Sequence, residues 1–226
     1  MTRLPRTHAG FTLVELLIGM AIGLFIVAAG TSLMTTNLRE NRNLLIESRL
    51  MQDLRTAGDM ISRDLRRAGY WAAANAGVRS DGASPVLANP YVEVTPGTAA
   101  ADNVSFRFSR DTAENNVVDS NEQFGFRLRN GAIELQLGAG NWQALTDANT
   151  LIVTEFSVTP TVEDVSLASF CATPCPAGSS TCPPRQQVRS LAVVVSARAA
   201  ADAKVTRSVR SQVRLRNDTL VGACPA

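Results

Sequence analysis

Hydrophobic and polar positions divide this chain near residue 39. From Leu16 to Leu38 there is no charged side chain, and from Phe11 to Met34 there is one, Glu15. The run is long enough for the roughly 20 residues that a bilayer-spanning helix needs. It is apolar all round, whereas a core helix of a small domain has a polar face. Past Leu38 the period changes. Leu44, Met51, Leu54, Ile61, Leu65 and Ala68 recur at three- and four-residue steps or their multiples. Glu47, Arg49, Asp53, Arg55, Arg63, Asp64, Arg66 and Arg67 fall largely elsewhere around the helix. Gly58 weakens this pattern without ending it, and Gly69 is a stop signal. The pattern predicts one long helix from about Phe11 to Ala68, with a lipid-facing first half and an amphipathic second half that covers a sheet.

Residues 72–101 are rich in Ala, Gly, Asn and Pro and read as an irregular connection. Alternation then sets in. Val104–Phe108 places Phe106 and Phe108 on one face, and Gln123–Arg129 and Ala132–Leu137 flank Asn130-Gly131, a strong hairpin signal. Thr150–Val158, Gln187–Ala197 and Val205–Leu215 complete the predicted strands. In the last of these Val205, Val209, Val213 and Leu215 share one face and Arg210, Arg214 and Arg216 the other. A helix followed by antiparallel strands is the α+β class.

Charge changes this picture little. The formal net charge is +2 over 226 residues, and Arg3 and Arg6 lie within the first ten; without that segment 20 basic and 20 acidic side chains remain. Bulk charge points to no particular partner. Arginines flank the apolar run on both sides, so the positive-inside rule barely orients it. The cysteines say more. Cys171, Cys175, Cys182 and Cys224 cluster in the last quarter, among Pro, Ser and Gly. An even number in a loop-rich segment reads as two disulfides formed in an oxidising compartment. Zinc is the weaker reading, because the only histidine, His8, is at the other end of the chain. Four cysteines allow three pairings. We favour Cys182–Cys224 securing the C-terminus and Cys171–Cys175 closing a tight loop.

The start of the chain carries the most specific signal. A secretory signal peptide would place its small residues after a shorter apolar stretch, but here Ala9 and Gly10 precede the run. The string Gly10-Phe11-Thr12-Leu13-Val14-Glu15-Leu16-Leu17, behind a short basic leader, resembles the prepilin motif of type IV pilins and type II secretion pseudopilins. The resemblance implies cleavage between Gly10 and Phe11 by prepilin peptidase, N-methylation of Phe11, and retention of the apolar helix as an inner-membrane anchor. It also implies a filament core of packed pilin helices. In that family the glutamate matching Glu15 is thought to meet the terminal amine of a neighbouring subunit. A carboxylate in hydrocarbon costs about 2.5–3.5 kcal/mol or more, which suits a functional rather than incidental residue. Gly19 and Gly23 add a G-x-x-x-G spacing that allows close helix contact. The segment Ile61–Tyr70 and the closing Val213-Arg214-Leu215-Arg216-Asn217 are similar to minor pilins of the PilW type.

The expected organisation is a leader at 1–10, a transmembrane helix at 11–38, its amphipathic continuation at 39–70, and a periplasmic β-rich head at 71–226. The expected function is a structural minor pilin that helps to start or cap a type IV pilus. A minor pseudopilin of a type II secretion system is the alternative. A DNA-binding pilin, suggested by Arg185, Arg189, Arg207 and Arg210, is a weaker one, since the chain's aromatics are not interleaved with these arginines; nucleic acid is not expected as a partner. The expected partners are prepilin peptidase, other major and minor pilins, and membrane lipid. No phosphate loop or nucleophile elbow is present. His8 lies in the leader, so no mature Ser-His or Cys-His pair forms. No enzyme activity, cofactor or metal is expected. The acidic stretch Asp111–Glu122 lacks EF-hand spacing and reads as a solvated loop.

Overall fold

The computed structural model describes residue 10 and residues 12–77, 87–97 and 99–225. The expectations placed on Phe11, Arg3, Arg6 and His8 lie outside these residues. The chain forms two compact units, divided between Leu45 and Ile46. Helix α1 (Leu13–Leu65) contributes to both. In the first unit, residues 12–45 are exposed throughout, large apolar side chains such as Ile18, Phe25 and Leu33 included. Its stretch 16–38, which carries no charge and over which none of the other described residues lies, suits cover by lipid or by other helices.

The second unit is the head. It contains β1 (Val94–Thr95), β2 (Asn103–Arg107), β3 (Gln123–Arg129), β4 (Ala132–Leu137), β5 (Trp142–Ala144), β6 (Leu151–Ser166), β7 (Arg185–Ala199), β8 (Thr206–Arg214) and β9 (Thr219–Val221). β1 to β5 form one antiparallel sheet in chain order, and β6, β7 and β8 a second one, with β9 also paired to β7. The two sheets meet where Ala101 and Val158 exchange backbone hydrogen bonds of 3.0 and 2.8 Å. The architecture is α+β: one long helix, whose last five turns cover antiparallel sheets.

Those turns bury Leu50, Leu54, Ala57, Gly58, Ile61, Ser62 and Leu65, a stripe at helical spacing. Part of the stripe lies on β8. Gly58 faces Val209 there, where a Cβ would make an ordinary contact of 3.5 Å with Cγ1, and Ser62 and Ser211 share a 2.9 Å hydroxyl hydrogen bond. Arg207 pairs with Glu47 beside it. The helix ends where expected. After Leu65 the chain turns through Gly69, whose φ of +77° favours glycine, and Gly69 N donates to Arg107 O at 2.8 Å.

The cores of the sheets follow from alternation. Phe106 opposes Phe124 and Val104 opposes Phe126 across β2 and β3, and the Phe108 and Phe124 rings stack at 4.1 Å. Leu191, Val193, Val195, Ala197 and Ala199 line the inner face of β7. The β3–β4 hairpin turns at Asn130-Gly131 with φ of 51° and 75°, the left-handed pair that a two-residue turn requires.

The structure corrects the sequence-based reading in several places. Leu44 is exposed and Met51 only half-buried; Leu50 holds the inward position at that end of the stripe. β6 runs eight residues past the expected Val158. Its extension Thr159–Ser166 is polar and contains Pro160, which an edge strand tolerates because one side makes no ladder bonds. Thr154 is an extra residue in β6 where the register shifts, and it moves the inward positions from Leu151 and Val153 to Phe156 and Val158. The short β1, β5 and β9 carry too few residues to show a period.

Phe126 is fully buried and Phe170 is 80% exposed. Phe126→Ala should therefore cost about 3–5 kcal/mol, while Phe170→Ala should stay within about 0.5 kcal/mol. Thermal or denaturant unfolding of the two variants, followed by a head-specific tryptophan signal, measures the difference.

Candidate functional site

The helix start is the first functional region. Four backbone N–H groups at the beginning of any helix lack an intrahelical acceptor, and apolar surroundings make that costly. Here Thr12 and Glu15 satisfy two of the donors reciprocally. Glu15 N donates to Thr12 Oγ1 at 3.2 Å, and Thr12 N donates to Glu15 Oε2 at 2.9 Å. The Thr12 hydroxyl also donates to Glu15 Oε2, at 2.9 Å. This is a capping box, and its sequence signature, Thr-x-x-Glu, stands in residues 12–15. The sequence reading gave Glu15 a role but gave Thr12 none. Gly10 is exposed immediately before this cap, and Phe11 lies outside the described residues. Gly19, Gly23 and Gly30 have no other heavy atom near the place a Cβ would occupy, so this face of the helix is open to close approach.

The C-terminal cysteines form the second region. All four are oxidised, as Cys171–Cys224 and Cys175–Cys182. This overturns the favoured pairing of Cys182 with Cys224 and Cys171 with Cys175. The reason lies in β9. Val221 pairs with Arg185, whose other neighbour is Ser166 at the end of β6. Ala223 N then donates to Thr181 O at 2.9 Å, and the next residue, Cys224, bonds to Cys171, which directly follows the turn Ala168–Phe170. Cys175 and Cys182 are left to close the short loop that turns at Gly178.

The arginine stripe is mostly engaged within the head. Arg185 faces Asp164 at 3.6 Å, Arg207 pairs with Glu47, and Arg214 meets Asp218 at 2.9 Å. Arg189 is half-buried and donates to the carbonyls of Val92 and Asn217. Arg210 and Arg216 stay on the exposed face.

A capped N-terminal helix, uncharged from Leu16 to Leu38 and continuing into an α+β head, is the plan of a pilin-like protein. Residues 5–31 match the prokaryotic N-terminal methylation motif. Residues 43–215 match the family described as prepilin peptidase-dependent protein B, and the chain belongs to that family. The comparisons with curated proteins and with solved structures return no match. Dependence on prepilin peptidase and a structural, pilin-type role follow from the family and the motif, and the apolar helix suits a membrane-anchored protein.

The two disulfides differ in what they constrain. Cys171–Cys224 closes a separation of 53 residues and Cys175–Cys182 one of 7. Loop-closure entropy assigns them about 4 and about 2 kcal/mol. Peptide mapping without reduction should recover these two pairs. Replacing Cys171 and Cys224 by serine should lower stability more than replacing Cys175 and Cys182.

Proposed function

We propose that this protein is a minor pilin of the PilW type that takes part in starting or capping a type IV pilus. Its leader is removed between Gly10 and Phe11, Phe11 is N-methylated, and the helix anchors the chain in the inner membrane with the head in the periplasm. The observation that carries this reading is the methylation motif set directly on a helix whose described residues 12–45 have no covering surface of their own. Such a helix suits the membrane before assembly and a bundle of like helices after it. The oxidised cysteines support an oxidising compartment for the head.

Mass spectrometry of the membrane-extracted chain should find it starting at methyl-Phe11. Gly10→Val should keep the leader attached, because a branched side chain crowds the peptidase site. A chain that retains Met1 in a strain with active peptidase would falsify the cleavage assignment. Deleting the protein should reduce surface pili while leaving type II secretion intact; the opposite result would make it a pseudopilin.

Glu15 has two roles in this reading. In the single chain it caps its own helix, and in the filament it pairs with the ammonium at Phe11 of a neighbour. A buried ammonium without its partner costs several kcal/mol, more than the roughly 1 kcal/mol of a cap. Glu15→Ala should accumulate, be cleaved normally and enter sheared pili poorly. Glu15→Gln preserves the capping geometry and removes only the charge, so it should fail in the same way. Normal incorporation of Glu15→Gln would show that the charge does not set register.

A further inference from the structure

The loop between β2 and β3, which the sequence suggested was merely solvated, is folded back on Tyr91. It gathers four carboxylates, from Asp111, Glu114, Asp119 and Glu122. One carboxylate oxygen from each of Asp111, Asp119 and Glu122 lies within 4.8 Å of the other two. Glu122 is fully buried. Its oxygens accept from Arg110 N at 2.7 Å and Asp119 N at 2.9 Å. The Tyr91 hydroxyl stands 3.0 Å from Glu114 Oε1, 3.0 Å from Glu122 Oε2 and 3.2 Å from Val117 O. One hydroxyl proton serves only one of three such acceptors at a time.

Three further oxygens here are buried without any hydrogen-bond partner: Asp111 Oδ2, Glu114 Oε2 and Ser109 Oγ. Ser109 is only 5% exposed. Among the described residues no arginine or lysine forms an ion pair with any of the four carboxylates. Hydrogen bonds, such as those from Asn116 N to Glu114 Oε1 at 2.8 Å and from Asn115 Nδ2 to Asp119 Oδ2 at 3.1 Å, hold these carboxylates in place, and like charges this close are relieved by a cation between them.

We propose that Asp111, Glu114, Asp119 and Glu122 hold a calcium ion that locks this loop onto Tyr91. The donors are all oxygen, which excludes the softer transition metals. Carboxylates spread over an irregular twelve-residue loop suit the variable geometry of calcium better than the strict octahedron of magnesium. Ser109 Oγ supplies a neutral oxygen on the buried side. The site is independent of the pilus assignment, because it lies wholly in the head.

The test uses the full chain in detergent, stripped with EDTA and then titrated with terbium. Tyr91, and Trp71, which donates to Asn116 Oδ1 at 2.9 Å, are placed to sensitise a bound lanthanide. Terbium emission excited through the aromatics should rise to saturation. Calcium should displace the terbium and raise Tm, and magnesium should do so at least tenfold less effectively. Asp111→Asn combined with Asp119→Asn should weaken calcium at least tenfold. In EDTA the same variant should melt at or above the parent temperature, because a like-charge repulsion has been removed; this keeps a binding loss distinct from unfolding. The proposal is overturned if calcium changes neither emission nor Tm, if magnesium matches calcium, or if the folded double variant binds as tightly as the parent.

Discussion

The head depends on one contact, the stripe from Leu50 to Leu65 lying on the inner faces of the sheets. β8 offers Val209, Ser211 and Val213 to that stripe, and the Ser62–Ser211 hydrogen bond satisfies the hydroxyls that the contact buries. Each large aliphatic side chain so buried contributes about 1.5–3 kcal/mol. The same contact fixes where the chain goes next. Gly69 breaks the helix and hands its N–H to Arg107, and Arg67 settles 4.1 Å above the Phe108 ring. Asn89 and Asn217 both donate to Gly69 O, so the loop before β1 and the segment after β8 are drawn to one point.

Much of this was legible from the sequence because its period is long. The helix, its end at Gly69, and the β3–β4 hairpin are carried by residues whose chemistry leaves few options. Asn130-Gly131 is a turn because both residues tolerate positive φ, and β3 and β4 take the bounds that alternation predicts. The far half of β6 was hidden for a physical reason. Thr159–Ser166 pairs with β7 but is exposed on almost every side chain, so hydrogen bonding rather than burial holds it and no hydrophobic alternation records it. The cysteine pairing was illegible for a related reason. It is decided by β9, three residues whose position depends on a ladder to Arg185 that no local pattern announces. Likewise the acidic loop looks solvated as a string of residues. Only the fold shows that Glu122 is inside and that Tyr91 comes from about thirty residues away.

The helix start raises a question of competition. Thr12 and Glu15 cap the helix in the single chain, so the carboxylate is already bonded before any neighbour arrives. Pairing with a neighbour's amine in the proposed filament must therefore displace or share those bonds. The magnitudes permit it. A cap is worth about 1 kcal/mol, whereas an unpaired buried ammonium costs several. Glu15 Oε2 carries both Thr12 bonds, and Oε1 makes none among the described contacts. The second oxygen can accept an ammonium while the first continues to cap. On this geometry the cap is compatible with the pairing proposed for Glu15 in a filament. It holds the carboxylate in one rotamer at the helix end, so that little side-chain entropy remains to be lost when the neighbour docks.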